Sequence, residues 1–329
     1  MARWRRGSRL RQPNWAVFHP GGSGSWLKLW NALAFMAVAL TLDRLLRSDA
    51  GRRARAHLLW SVNPLLLWVL VAGGHIDTIA SAVGFAALIV ARPARSGQKP
   101  GLLRGLACGL LVGAAADIKI TFLVFGAGVA WAARRSLPAM SGTVAGVLIV
   151  VLPSYLWFGP PAVAALLHRA GGSTGDSTYR VLLHVLGFGS LPGLKALAVP
   201  VFIAVALLLM WRLPDGIPTR PAVRPALAVS LAWLLTWPYQ YPWYDAMVMC
   251  LIALYPATRL DWPVLARLAA GTIYSITSLP RNVSADWLSP IVQLLRALVL
   301  TVPQLGALTA ITILCVTAAW HAPPMTSEG

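Results

Sequence analysis

The densest chemistry in this chain lies in one short stretch, Gly73-Gly74-His75-Ile76-Asp77-Thr78. An imidazole and a carboxylate stand one residue apart at a Gly-Gly turn. Apolar sequence precedes them from His57 to Ala72 and follows them from Ile79 to Ala91. Ionisable groups set between membrane-seeking segments are costly to bury, and such groups read as functional. Asp77 is a candidate catalytic base, and His75 a neighbour that tunes it or binds a phosphate. The same residues would also suit a capped helix start, with Asp77 or Thr78 receiving backbone N–H bonds. Two potential ligands with no third at a useful spacing give no metal site, and no cofactor is called for.

Three further clusters could share a site with them. Asp117-Ile118-Lys119 interrupts a second apolar run. A lysine there needs an anion, either Asp117 as an internal ion pair or a bound phosphate, and a helix starting near Ile120 would offer backbone N–H groups to that phosphate. Between 159 and 193, Arg180 and His184 are four residues apart on one face of a short amphipathic stretch. Such a stretch, like 162–169 before it, suits the membrane interface and a lipid with a charged head. The run from Trp237 to Asp245 holds Tyr241, Trp243 and Tyr244. It reads either as an aromatic belt at the membrane surface or as a platform on which a sugar stacks, with Asp245 binding hydroxyls.

The elements that must position these groups are membrane helices. Hydrophobic residues make up 57% of the chain and charged residues 12%, against about a quarter charged in a soluble domain. Mean hydropathy is +0.67. Apolar segments at 26–46, 57–72, 76–91, 102–116, 120–133, 138–158, 194–213, 222–238, 242–258, 264–279 and 290–319 predict an all-α, multi-pass transmembrane bundle of about ten or eleven segments. Several are shorter than the ~20 residues that span a bilayer core, so those beside Gly73-Gly74 and Asp117-Lys119 are expected to be broken or tilted. Asn63-Pro64 reads as a kink whose asparagine satisfies freed backbone groups. Cys108, Cys250 and Cys315 lie far apart inside apolar runs, as small core residues do. The chain divides into a basic segment 1–25, a membrane domain 26–320 and a cytoplasmic tail 321–329.

The net charge of +18 follows from loop arginines rather than from nucleic-acid binding, since no basic–aromatic module is present. Sixteen basic residues fall in one alternate set of loops: Arg44 to Arg55, Arg92 to Arg104, Arg134 and Arg135, Arg212 to Arg224, and Arg259 with Arg267. The other set holds Lys119, Arg169, Arg180, Lys195 and Arg281. The excess places the first set in the cytoplasm and His75, Asp77, Lys119 and the aromatic run outside. Segment 26–46 then runs inward, and Arg3, Arg5, Arg6, Arg9 and Arg11 are stranded outside. The expectation is that an earlier helix and its outer loop precede this chain. The other account is that these arginines bind lipid headgroups.

Taken together, Asn63-Pro64-Leu65, Gly-Gly-His75-Ile76-Asp77, the Gly109 to Lys119 stretch and Pro242-Trp243-Tyr244 resemble the membrane-embedded GT-C glycosyltransferases. Bacterial polyprenol-phosphate-mannose-dependent mannosyltransferases are the most similar members. The resemblance covers roughly 26 to 280. Ile76 stands where that family has Asn, and Ile120 where it commonly has Pro. The family's usual base is an acidic residue of the first outer loop, and no acidic residue precedes Asp43 here.

The resemblance implies transfer of a hexose, mannose above all, from a polyprenyl-phosphate donor to a glycan or glycolipid acceptor outside the cell membrane. Lys119 with Arg180 or His184 would hold the donor phosphate. Asp77, beside His75, would be the base, and Tyr241, Trp243, Tyr244 and Asp245 would shape the sugar or acceptor site. The alternatives are a lipid or polyol transporter or flippase, whose paired repeats are absent from the sequence, and a catalytically inactive truncated homologue.

Overall fold

The computed structural model describes residues 23–91, 101–170, 197–215, 217, 219–239, 241–276 and 289–317. Among them every regular element is helical. In chain order these are α1 (Ser23–Leu45), α2 (Ala50–Ala56), α3 (Pro64–Leu66), α4 (Asp77–Val90), α5 (Leu102–Ile118), α6 (Phe125–Ala133), α7 (Leu137–Phe158) and α8 (Pro160–Ala170). Then follow α9 (Ala198–Arg212), α10 (Val223–Thr236), α11 (Asp245–Leu254), α12 (Asp261–Ile276) and α13 (Ser289–Thr317). Among the described residues three helical stretches are long and apolar enough to cross a membrane: Ser25–Leu45, Ala50–Ala72 and Leu137–Phe158. The remaining apolar helices are shorter. Residues 1–22 of the basic segment 1–25, and residues 318–329, lie outside the described residues.

Helix surfaces divide as a bilayer requires. On α1, Phe35, Val38, Ala39 and Leu42 are buried, while Trp26, Trp30, Leu33, Met36 and Leu40 are exposed. An apolar side chain on the outward face costs nothing if lipid lies there. At the centre, every residue of α11 is buried, and most of α10 is too. A helix apolar on all sides belongs inside.

Close packing of α5 on α7 depends on glycines four residues apart. A Cβ on Gly105 or Gly109 would overlap the backbone of Ala139 or Thr143, and one on Gly142 or Gly146 would overlap the α5 backbone at Leu102 or Leu106. Small residues at this spacing let two membrane helices touch backbone to backbone, where dispersion replaces the hydrophobic drive that lipid removes.

The long second span is interrupted where Asn63 sits. Helical turns of π type, His57–Ser61 and Leu67–Ala72, flank the break. Asn63 Oδ1 accepts from the N–H groups of Leu65 and Leu66 at 3.1 and 3.4 Å, and its Nδ2 donates to Leu59 O at 3.1 Å. The asparagine thus supplies the bonds that Pro64 and the kink leave unmade, as the residue types imply.

Charges cluster at the end of the bundle where α1 meets α2. Arg55 grips Asp261 through two bonds of 2.7 and 2.6 Å and donates to Ile252 O and Tyr255 O. Arg52 donates to Leu254 O at 3.0 Å. These arginines cap the open carbonyls at the C-terminus of α11, where a cation is favoured.

Candidate functional site

The site forms where three helices are broken or begin. The first break is the turn after Ala72. Gly74 has φ +68°, a left-handed conformation that glycine adopts without strain. Gly73 lies so close to Val69 O and the His75 ring that a Cβ would collide with both. The two glycines therefore reverse the chain tightly and start α4 with Asp77 in its first turn, where a carboxylate is favoured. Thr78 does not cap this helix by accepting. Its Oγ1 donates to His75 O at 3.1 Å.

The second break is at Lys119. Helix α5 ends at Ile118, Lys119 is extended at φ −160°, and a 3-10 turn over Ile120–Val124 leads into α6. That extended residue aims the ammonium inward. Lys119 Nζ donates to Asp77 Oδ1 at 2.7 Å. Side-chain exposure is 22% for Lys119 and 2% for Asp77. The internal Asp117–Lys119 pair considered from sequence is not what forms. Asp117 is exposed and accepts from Ser154 Oγ at 3.1 Å, because two residues at i and i+2 point to different sides at a helix end.

The third element is the aromatic run, carried on the 3-10 turn Pro242–Tyr244 that opens α11. Lys119 Nζ lies 3.7 Å from the centroid of the Tyr244 ring, a cation–π contact. Trp243 is sandwiched, with His75 on one side at 3.8 Å and Tyr241 on the other at 4.4 Å. Tyr239 meets Tyr241 edge-on at 5.3 Å. The structure therefore brings together His75, Asp77, Lys119, Tyr241, Trp243 and Tyr244, although they come from three separate parts of the chain. Burial, and then the nearby ammonium of Lys119, lower the His75 pKa to about 4. The ring is a neutral stacking partner of Trp243 at pH 7.

Asp245 departs from its expected place. It is fully enclosed and takes a hydrogen bond from Arg267 Nη1, and the Arg267 side chain is only 4% exposed. A carboxylate so paired ties the start of α11 to α12 rather than presenting itself to sugar hydroxyls. By the same contact Arg267 is an interior counter-ion, not one of the loop charges among which its position in sequence placed it. The pair was not legible from sequence, because nothing in α12 marks the turn that faces α11. Arg180 and His184 lie outside the described residues. Among the described residues no three His, Cys, Asp or Glu side chains gather as metal ligands would.

The arrangement offers an ammonium poised between a carboxylate and an aromatic face, beside a ring stack of the kind on which a pyranose can lie. Residues 23–135, which include His75, Asp77 and Lys119, match the family model described as alpha-(1->6)-mannopyranosyltransferase, N-terminal domain. No curated protein and no solved structure matches the chain.

Proposed function

We propose that the chain is a membrane-embedded glycosyltransferase that moves mannose from a polyprenyl phosphate to an acceptor hydroxyl of a glycan or glycolipid. The observation that carries this reading is the meeting of Asp77, Lys119 and the Trp243 ring stack at one junction of broken helices. Irregular backbone at membrane depth is tolerated where it lines a cavity or is covered by protein. The match of residues 23–135 to a mannosyltransferase domain supports the chemistry.

In this mechanism the donor phosphate competes with Asp77 for Lys119. As the C1–O bond to the phosphate breaks, negative charge grows on the leaving phosphate, and the ammonium stabilises it. Asp77, released from its partner, takes the proton of the acceptor hydroxyl as its oxygen bonds to C1. The products are the mannosylated acceptor and the free polyprenyl phosphate. Tyr241, at the end of the stack and backed by Trp243 and His75, holds the sugar ring by stacking. Arg180 and His184 would assist at the phosphate from the outer face.

The enclosure of Asp77 favours one competing reading, an inert ion pair that merely joins α4 to the α5–α6 break. The test is transfer of labelled mannose from polyprenyl-phosphate mannose by the purified chain. Lys119→Ala is expected to weaken donor binding by roughly tenfold or more, since a charge-assisted bond contributes about 1.5–3 kcal/mol. Removing one partner of a buried pair costs about 3–5 kcal/mol, whereas replacing both is far milder. The double variant Asp77→Asn/Lys119→Gln is therefore expected to fold and to have lost transfer. A folded double variant that transfers at the native rate would leave the pair a structural device only.

A further inference from the structure

At the opposite end of the helices that carry Asp77 and Lys119, a cavity of about 740 Å³ opens among α6, α9 and α10. Asp77 begins α4 and Lys119 leads into α6; Arg220 donates to Ile89 O at the far end of α4, and Arg134 follows the last residue of α6. The fourteen residues of α4 separate the two places by about 20 Å.

Three arginines converge on this cavity: Arg134, Arg220 and Arg224. Arg220 is buried. Arg224 is held by Met210 O at 2.7 Å and by Asp215 at 3.0 Å, while its enclosed Nε has no partner among the described residues. Arg134 lies over the Trp131 ring at 4.2 Å and donates to Trp131 O at 2.5 Å. The single carboxylate among the described residues lining the cavity, Asp215, is wholly exposed. The rim is apolar. Trp131, Leu207 and Trp211 line the cavity and are exposed, with Trp211 and Leu207 on the shorter apolar helix α9.

We propose that this cavity is a binding site for the headgroup phosphate of an anionic membrane phospholipid. The arginines supply charge-assisted donors to the phosphate. The indoles supply the interfacial contacts at which one edge is wet and the other faces acyl chains. Basic pockets between membrane helices on the side richer in arginine suit anionic headgroups. A soluble phosphate would need the charge but not the exposed apolar rim, so the rim favours the lipid. The inference does not rest on mannosyl transfer and can fail without it.

The test uses the full chain purified into zwitterionic phosphatidylcholine nanodiscs, doped with phosphatidylglycerol, with retained lipid read by native mass spectrometry. The expected result is selective retention of phosphatidylglycerol. Arg134→Gln/Arg224→Gln should reduce that retention by about tenfold or more, two charge-assisted contacts being removed. Asp215→Asn should increase it, because the variant removes the one negative charge at the rim and alters a fully exposed side chain. Equal retention of both lipids by the native chain would overturn the proposal. So would an unaltered selectivity in the double variant, or displacement of the lipid by free glycerol phosphate at matched concentration. Should the double variant fail to fold, Asp215→Asn decides alone, and unchanged or weaker retention rejects the site.

Discussion

His75 shows how much a single side chain is set by what it touches. Its ring is pressed between the Gly73 backbone and the face of Trp243, with Lys119 near. Its pKa falls from 6.5 in the unfolded chain to about 4 in the fold. Between those values the unfolded chain binds the proton and the folded one does not, so stability rises with pH across this window. The contribution is fully present above pH 6.5 and is lost as pH falls toward 4. Thermal unfolding in detergent should therefore show a loss of stability between pH 6.5 and 4 that His75→Gln reduces. A native and variant pair with parallel pH profiles would contradict the burial of the imidazole.

At the scale of elements, the packing of α5 on α7 is the most constrained contact. Gly109 and Gly146 sit where a side chain must enter the opposing backbone. Gly109→Leu or Gly146→Leu should destabilise by about 1–3 kcal/mol or more, the cost of overpacking a close contact, measured by denaturant unfolding in detergent. Gly126→Leu, on α6 and with nothing nearer to its Cβ than a Val112 methyl at 3.4 Å, should cost less. Much of this level was legible in the sequence. The helix end at Ala72 follows from the break in the apolar run, α5 runs two residues past the expected end at 116 to Ile118, and Asn63 caps as its type and its proline neighbour imply. Glycines at 105, 109 and 113 and at 142 and 146 were an unread signal, because their spacing reports a neighbour and not a helix. What could not be read was which turn meets which. Lys119 chooses Asp77 rather than Asp117, and Arg267 chooses Asp245, because both pairings depend on helix rotation and depth, which apolar sequence leaves unspecified.

At the scale of the molecule, charge separates along the helices. Arg52, Arg53 and Arg55 bind Leu254 O, Asp43 and Asp261 at one end, and Arg134, Arg220 and Arg224 gather beyond the C-terminus of α4. By the positive-inside rule we propose a cytoplasmic side for these ends and an outer side for the Asp77–Lys119 junction. Reporter domains fused after Arg55 or Arg220 should read cytoplasmic, and one fused near Ser177 should read external. An external signal after Arg220 together with a cytoplasmic one near Ser177 would invert the arrangement and move the proposed transfer site to the inner face.

The ion pair between Asp77 and Lys119 joins residues 42 positions apart, one at the start of α4 and the other just past the end of α5. It therefore closes the free mouth of a helical hairpin. During synthesis Asp77 leaves the ribosome well before Lys119, and for that interval α4 carries a charge with nothing to neutralise it. A lone charge at the centre of a membrane segment opposes entry by about 2.5–3.5 kcal/mol on insertion scales, and one at its end, like Asp77, opposes it less. The hairpin is thus suited to partition from the translocation channel as a neutral unit once both charges are available, with α4 waiting for α5.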